Sequence, residues 1–162
     1  MMECPFYVEL ERRTSAPAVA DKLQRYCGHW LRILESHGRC EVRPILVVHY
    51  DTRPARKRRE GAGAGALRDN LRKLLHEHAG GHFDALNAKL RERHENADVG
   101  RLIAICSWEE LYVSGVFGPR YHPLGVHAPE DGGVEEGGER VTLHALARER
   151  GRLVAAYRKK AV

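Results

Sequence analysis

Glu9 and Glu11 stand two residues apart in Phe6-Tyr7-Val8-Glu9-Leu10-Glu11, a stretch whose alternation and strand formers predict an extended conformation. Residues two apart on a strand project from one face, about 7 Å from each other. That spacing lets one carboxylate ligate a divalent cation while the other assists, and it suits Mg²⁺. Lys22, on the helix expected next, would pack over the sheet and bring its ammonium to the same edge, to stabilise charge developing on a phosphoryl group or to position water. The same residues also make an ordinary exposed ion-pair set, with the glutamates neutralised by Arg12, Arg13 or Lys22.

Other groupings carry less. Arg53, Arg56, Lys57, Arg58 and Arg59 form a basic run that can follow a phosphate backbone without a fixed register, although no aromatic residue is interleaved for base stacking. Cys27, His29, His37 and Cys40 are ligand types that zinc prefers, but their spacing fits no standard finger, and Cys27 lies on an apolar helical face with Trp30. His76 and His78 are two apart on an expected helix and face different ways; with His82 they read as fortuitous. The Gly61 to Ala66 repeat lacks the Gly-Lys-Ser/Thr ending of a phosphate-cradling loop, and there is no Gly-x-Ser-x-Gly elbow.

These residues need elements to position them. After the strand at residues 6 to 11, with Phe6, Val8 and Leu10 on one face and the glutamates on the other, Thr14 or Ser15 caps a helix with Pro17 in its first turn. Val19, Leu23, Tyr26, Cys27, Trp30, Leu31 and Leu34 follow at helical spacing, and Gly38 ends the helix. Pro44 to Tyr50 reads as a buried strand of central parallel type. Residues 51 to 66 are expected to be a mobile loop, 67 to 78 and 82 to 95 helices, and 102 to 106 another buried strand followed by a short turn capped by Ser107. Tyr112 to Leu124 is expected to be a short strand or irregular, and Val141 to Lys159 a helix. Strand, helix, strand, helices, strand is a βαβ succession, which predicts an α/β fold with a parallel core.

Charge and composition bound the function. Lys and Arg number 27 against 22 Asp and Glu, giving +5, so acidic partners are favoured over basic ones. With 43% hydrophobic and 30% charged residues in 162, the chain makes one globular domain. The four cysteines (Cys4, Cys27, Cys40 and Cys106) are too scattered for a disulfide framework, and there is no signal-peptide pattern, so a cytoplasmic location is expected. The longest apolar runs, such as Ile45 to Val48, fall far short of the ~20 residues that cross a bilayer.

Phe6 to Thr14, followed by Lys22-Leu23-Gln24-Arg25-Tyr26, resembles the strand-and-helix signature of the bacterial replication-relaxation family. Ile45 to Tyr50 and Leu102 to Leu111, the latter with its Ser-Trp-Glu-Glu-Leu turn, are similar to that family's later strands, so the resemblance spans roughly residues 5 to 125. It implies a restriction-endonuclease-like core of the PD-(D/E)XK group and a role in replication and relaxation of plasmid DNA. On that mapping Glu9 takes the acidic position of the metal-binding strand, Glu11 stands where the family often has aspartate, and Lys22 is a lysine relocated to the helix. Arg13 stands where the family often has a small residue, and adds a phosphate-binding charge. The aspartate-bearing strand of an active nuclease and the family's winged-helix segment have no counterpart before Phe6, which implies a shortened or divergent member.

The expected fold is therefore α/β, a central mixed or parallel sheet flanked by helices, with a restriction-endonuclease-like core over residues 1–127, an acidic glycine-rich linker at 128–140 and a C-terminal helix at 141–162. The expected function is a DNA-associated accessory protein of plasmid or mobile-element replication, holding DNA phosphates through Arg12, Arg13 and the run from Arg53 to Arg59 without catalysis. One alternative is a Mg²⁺-dependent nuclease or nickase using Glu9 and Glu11 as metal ligands, Lys22 as the catalytic cation and an acid such as Asp51 from elsewhere. Another is a non-enzymatic module binding protein through Tyr112 to Tyr121 or the C-terminal helix, with a second copy or a replication protein as partner. No membrane partner is expected, and no cofactor beyond Mg²⁺ in the nuclease reading.

Overall fold

The computed structural model describes residues 5–11, 15–50, 63–77, 80–118, 121–128 and 140–158, with Glu11 and Ser114 defined by their backbone alone. Three strands, β1 (Tyr7–Glu11), β2 (Ile45–His49) and β3 (Ile103–Ser107), run parallel, and a two-residue β4 (His122–Pro123) pairs antiparallel to β3, in the order β1-β2-β3-β4. The sheet is therefore mixed, and five α-helices accompany it among the described residues.

Helix α1 (Ala16–His37) begins where Ser15 accepts a hydrogen bond from the Ala18 amide, has proline in its first turn, and ends at Gly38 in the left-handed conformation that glycine adopts without a Cβ clash. Its Val19, Leu23, Cys27, Trp30 and Leu34 recur at helical spacing and are buried. They meet Ile45, Val47, Ile103 and Ile105 from one face of the sheet, together with Leu67, Leu71 and Leu75 of α2 (Ala64–Glu77) and Phe83, Leu86 and Leu90 of α3 (His82–Arg91). Both crossovers thus lie on one face, as same-handed connections require when each next strand is added on the same side.

The opposite face is thinner. Leu46, Val48, Ala104 and Cys106 pack there on Tyr121, Val141 and the start of α5 (Leu143–Arg158), while the end of α5 sends Leu153 and Tyr157 into the main core. Glu149 of α5 is 1% exposed and is neutralised by Arg101 at 3.6 Å and Arg152 at 3.3 Å. No described helix is long and apolar enough to cross a membrane.

Several expectations shift. Helix α2 starts at Ala64, inside the glycine–alanine repeat expected to be loop, because alanine favours helix and Ala64 is buried. Helix α3 stops at Arg91 rather than Glu95, and a 3₁₀ turn (Val99–Leu102) leads into β3. The turn after Ser107 extends to a seven-residue helix, α4 (Trp108–Ser114), so Tyr112 is helical rather than irregular. Residues 51–62, most of the expected mobile loop, and 129–139, most of the expected linker, lie outside the described residues.

Candidate functional site

Glu9 is held by two side chains of α1. Its Oε1 accepts a hydrogen bond from the Tyr26 hydroxyl, and its Oε2 lies 3.5 Å from Lys22 Nζ. The sequence builds this by simple periodicity: Lys22, Tyr26 and Trp30 are four apart and share one face of α1. Helix and strand run in opposite senses across the βα connection, so Lys22 and Tyr26 meet the late residue Glu9 while Trp30 and Tyr26 meet the early residue Tyr7. The Tyr7 ring lies 5.3 Å from Tyr26 and 6.5 Å from Trp30, and Tyr26 lies 6.0 Å from Trp30, centroid to centroid.

The electrostatics follow from this geometry. Hydrogen bonding to the Glu9 carboxylate, then burial, pushes the Tyr26 phenol up from 10.0 to about 12. The expected acidic strand and the helix-borne lysine are thus brought together, and tyrosine, whose role sequence reasoning did not assign, is the carboxylate's closest partner. Val8 and Leu10, the apolar alternates of β1, are 64% and 53% exposed. The polar side of this strand faces α1, an inversion of the usual apolar-in arrangement.

Glu11 stands opposite His49 in the ladder, and His49 opposite Ser107, so carboxyl-, imidazole- and hydroxyl-bearing residues share one register at the C-terminal ends of three adjacent strands. That end of a parallel sheet is where α/β folds place ligands. Ser107 is committed to structure: its Oγ accepts from the Glu110 amide at 3.1 Å, donates to Glu110 Oε2 at 3.2 Å, and so caps α4. Tyr50 and Trp108, which follow β2 and β3, pack edge to face at 6.3 Å beside this row.

Arg12, Arg13, Asp51, Arg53, Arg56, Lys57, Arg58 and Arg59 lie outside the described residues. Their points of attachment do not: residues 12–13 follow the end of β1 and 51–62 follow the end of β2, at the same edge as the row of Glu11, His49 and Ser107.

The cysteine–histidine candidates separate. Cys27 is fully buried, and burial pushes its thiol up to about 12. His29 and His37 line a cleft with Arg39 rather than joining it. His76 pairs instead with Asp84 at 3.3 Å, the His82 ring packs against Gly28, and His78 lies outside the described residues. Among the described residues no three His, Cys, Asp or Glu side chains converge as a metal site would require. In comparisons with known proteins, the chain matches no family model, no curated protein and no solved structure.

Proposed function

We propose that this chain is a DNA-associated domain of replication-relaxation type, with a restriction-endonuclease-like core, that holds DNA by its phosphates as an accessory to replication rather than cutting it. The parallel pairing of β1 with β2 carries this reading. It sets Glu11 opposite His49, so Arg12 and Arg13 and the segment from Arg53 to Arg59 depart from neighbouring points on one edge. Seven positive charges tethered there, in a chain of net charge +5, favour a polyanion through counterion release and need no sequence readout. Glu9 fits the holding role, because Tyr26 and Lys22 already engage its carboxylate. Fluorescence anisotropy with duplex and single-stranded DNA tests the reading: affinity is expected to fall steeply between about 50 and 200 mM salt. Affinity indifferent to salt, or no binding, would overturn it.

The approach of Lys22 to Glu9 also favours a second reading, a Mg²⁺-dependent nickase in which Glu9 and Glu11 hold the ion and Lys22 steadies the developing phosphoryl charge. Supercoiled plasmid with Mg²⁺ or Mn²⁺ is the assay. Nicking abolished by Glu9→Gln with Glu11→Gln supports this second reading; nicking that survives the double substitution removes these residues from it.

A further inference from the structure

At the other end of β1, away from the row at the strand ends, lies a cleft of about 280 Å³ between the C-terminal half of α1 and the segment entering β2. We infer that this cleft binds a nucleoside monophosphate, its phosphate on Arg39 and Arg43 and its base beside Ile33 and Tyr7.

The segment Arg39-Cys40-Glu41-Val42-Arg43 is irregular and alternates: Val42 is buried and Cys40 half-buried toward the core, while Arg39, Glu41 and Arg43 all line the cleft. Arg43 is positioned without use of its N–H donors, since its guanidinium lies over the Tyr7 ring, 5.6 Å from the centroid. Within the described residues no hydrogen bond or ion pair engages the side chain of either arginine. Two guanidiniums with their forks open, against the single carboxylate of Glu41, leave the cleft positively charged and suited to the oxygens of a phosphate. His29 and His37, about two turns apart on α1, complete the polar rim.

The remaining lining is Ile33 and Tyr7, with a small part of Trp30, which is 2% exposed. The lining is mainly polar, which suits a charged ligand, and the volume sits just under the low end of the roughly 300–1,000 Å³ that drug-sized ligands occupy. Free nucleotide and the 5′-terminal nucleotide of a DNA strand share this chemistry.

Calorimetry of the full chain with dAMP, deoxyadenosine and inorganic phosphate tests the site. Trp30 emission, read in a Trp108→Phe background, gives a second signal from the cleft itself. Binding of dAMP at least about tenfold tighter than either fragment, with a change in Trp30 emission and a loss of about tenfold or more in Arg39→Gln/Arg43→Gln, is expected. Arg39 is exposed, so Arg39→Gln alone serves as the variant that leaves the packing untouched, with circular dichroism as the check. A dAMP affinity no better than that of phosphate, or one unaltered by the arginine substitutions in folded protein, would overturn the inference. Competition by a 5′-phosphorylated single strand supports the site with the strand end as its source; competition by dAMP alone supports it with the free nucleotide. The arginines of the basic loop are unaltered throughout, so failure here and failure of the DNA-holding reading are separately visible.

Discussion

Glu9 shows how one side chain sets the chemistry of its neighbours. Its carboxylate accepts from Tyr26 and pairs with Lys22, and the phenol is raised from 10.0 to about 12 as a result. A phenol held protonated in the folded state stabilises it at all pH below the ordinary tyrosine value, and that contribution is lost as pH climbs from about 10 through about 12. Tyr26→Phe is therefore expected to lower stability by about 1 kcal/mol at neutral pH, the modest end for a hydrogen bond to a charged group at a partly exposed site, and to remove this alkaline component. Urea titrations of both proteins at neutral and alkaline pH check it; unchanged stability would detach Tyr26 from Glu9. The thiols behave in parallel. Burial raises Cys27 and Cys106 to about 12 each, whereas Cys40 is raised but only half-buried. Alkylation of the native protein at mildly alkaline pH, followed by peptide mass mapping, should label Cys40 well before Cys27 or Cys106.

At the scale of elements, the extent of what sequence reasoning could read follows from periodicity. Helix α1 was legible end to end, because Ser15, Pro17 and Gly38 punctuate a clean apolar stripe. The two central strands were legible because residues buried on both faces leave continuous apolar runs, Ile45 to Val48 and Ile103 to Cys106. The candidate site was half legible: alternation placed Glu9 on a strand and helical spacing placed Lys22, but a hydroxyl partner from Tyr26 depends on how closely helix and strand approach, which no local pattern encodes. The cleft at Arg39 and Arg43 went unread because it needs Tyr7 of β1 brought beside the end of α1, a juxtaposition that no local pattern encodes. Alternation with Lys22 also put the Glu9 side of β1 toward α1, but not the exposure of the apolar Val8 and Leu10 on the other side. Helix α4 carries its own test. The reciprocal Ser107–Glu110 box holds its first turn, so Ser107→Ala should cost about 1 kcal/mol, measured as a lowered denaturation midpoint with an unchanged slope.

Across the whole molecule, three parallel strands send their C-terminal ends to one edge, and helices α1, α2 and α3 close one face of the sheet. The proposed DNA-holding role rests on this edge, because the segments that carry the arginines and the lysine, dispersed over positions 12 to 59, follow β1 and β2 in the chain. The most direct measurement of that account compares the salt dependence of DNA affinity in the native chain with a variant carrying glutamine at Arg53, Arg56, Lys57, Arg58 and Arg59. The logarithmic slope should become shallower, by about 0.9 for each duplex phosphate that is no longer neutralised, and affinity at low salt should drop at least about tenfold. A variant that binds DNA as tightly as the native chain, with the same slope, would contradict the account.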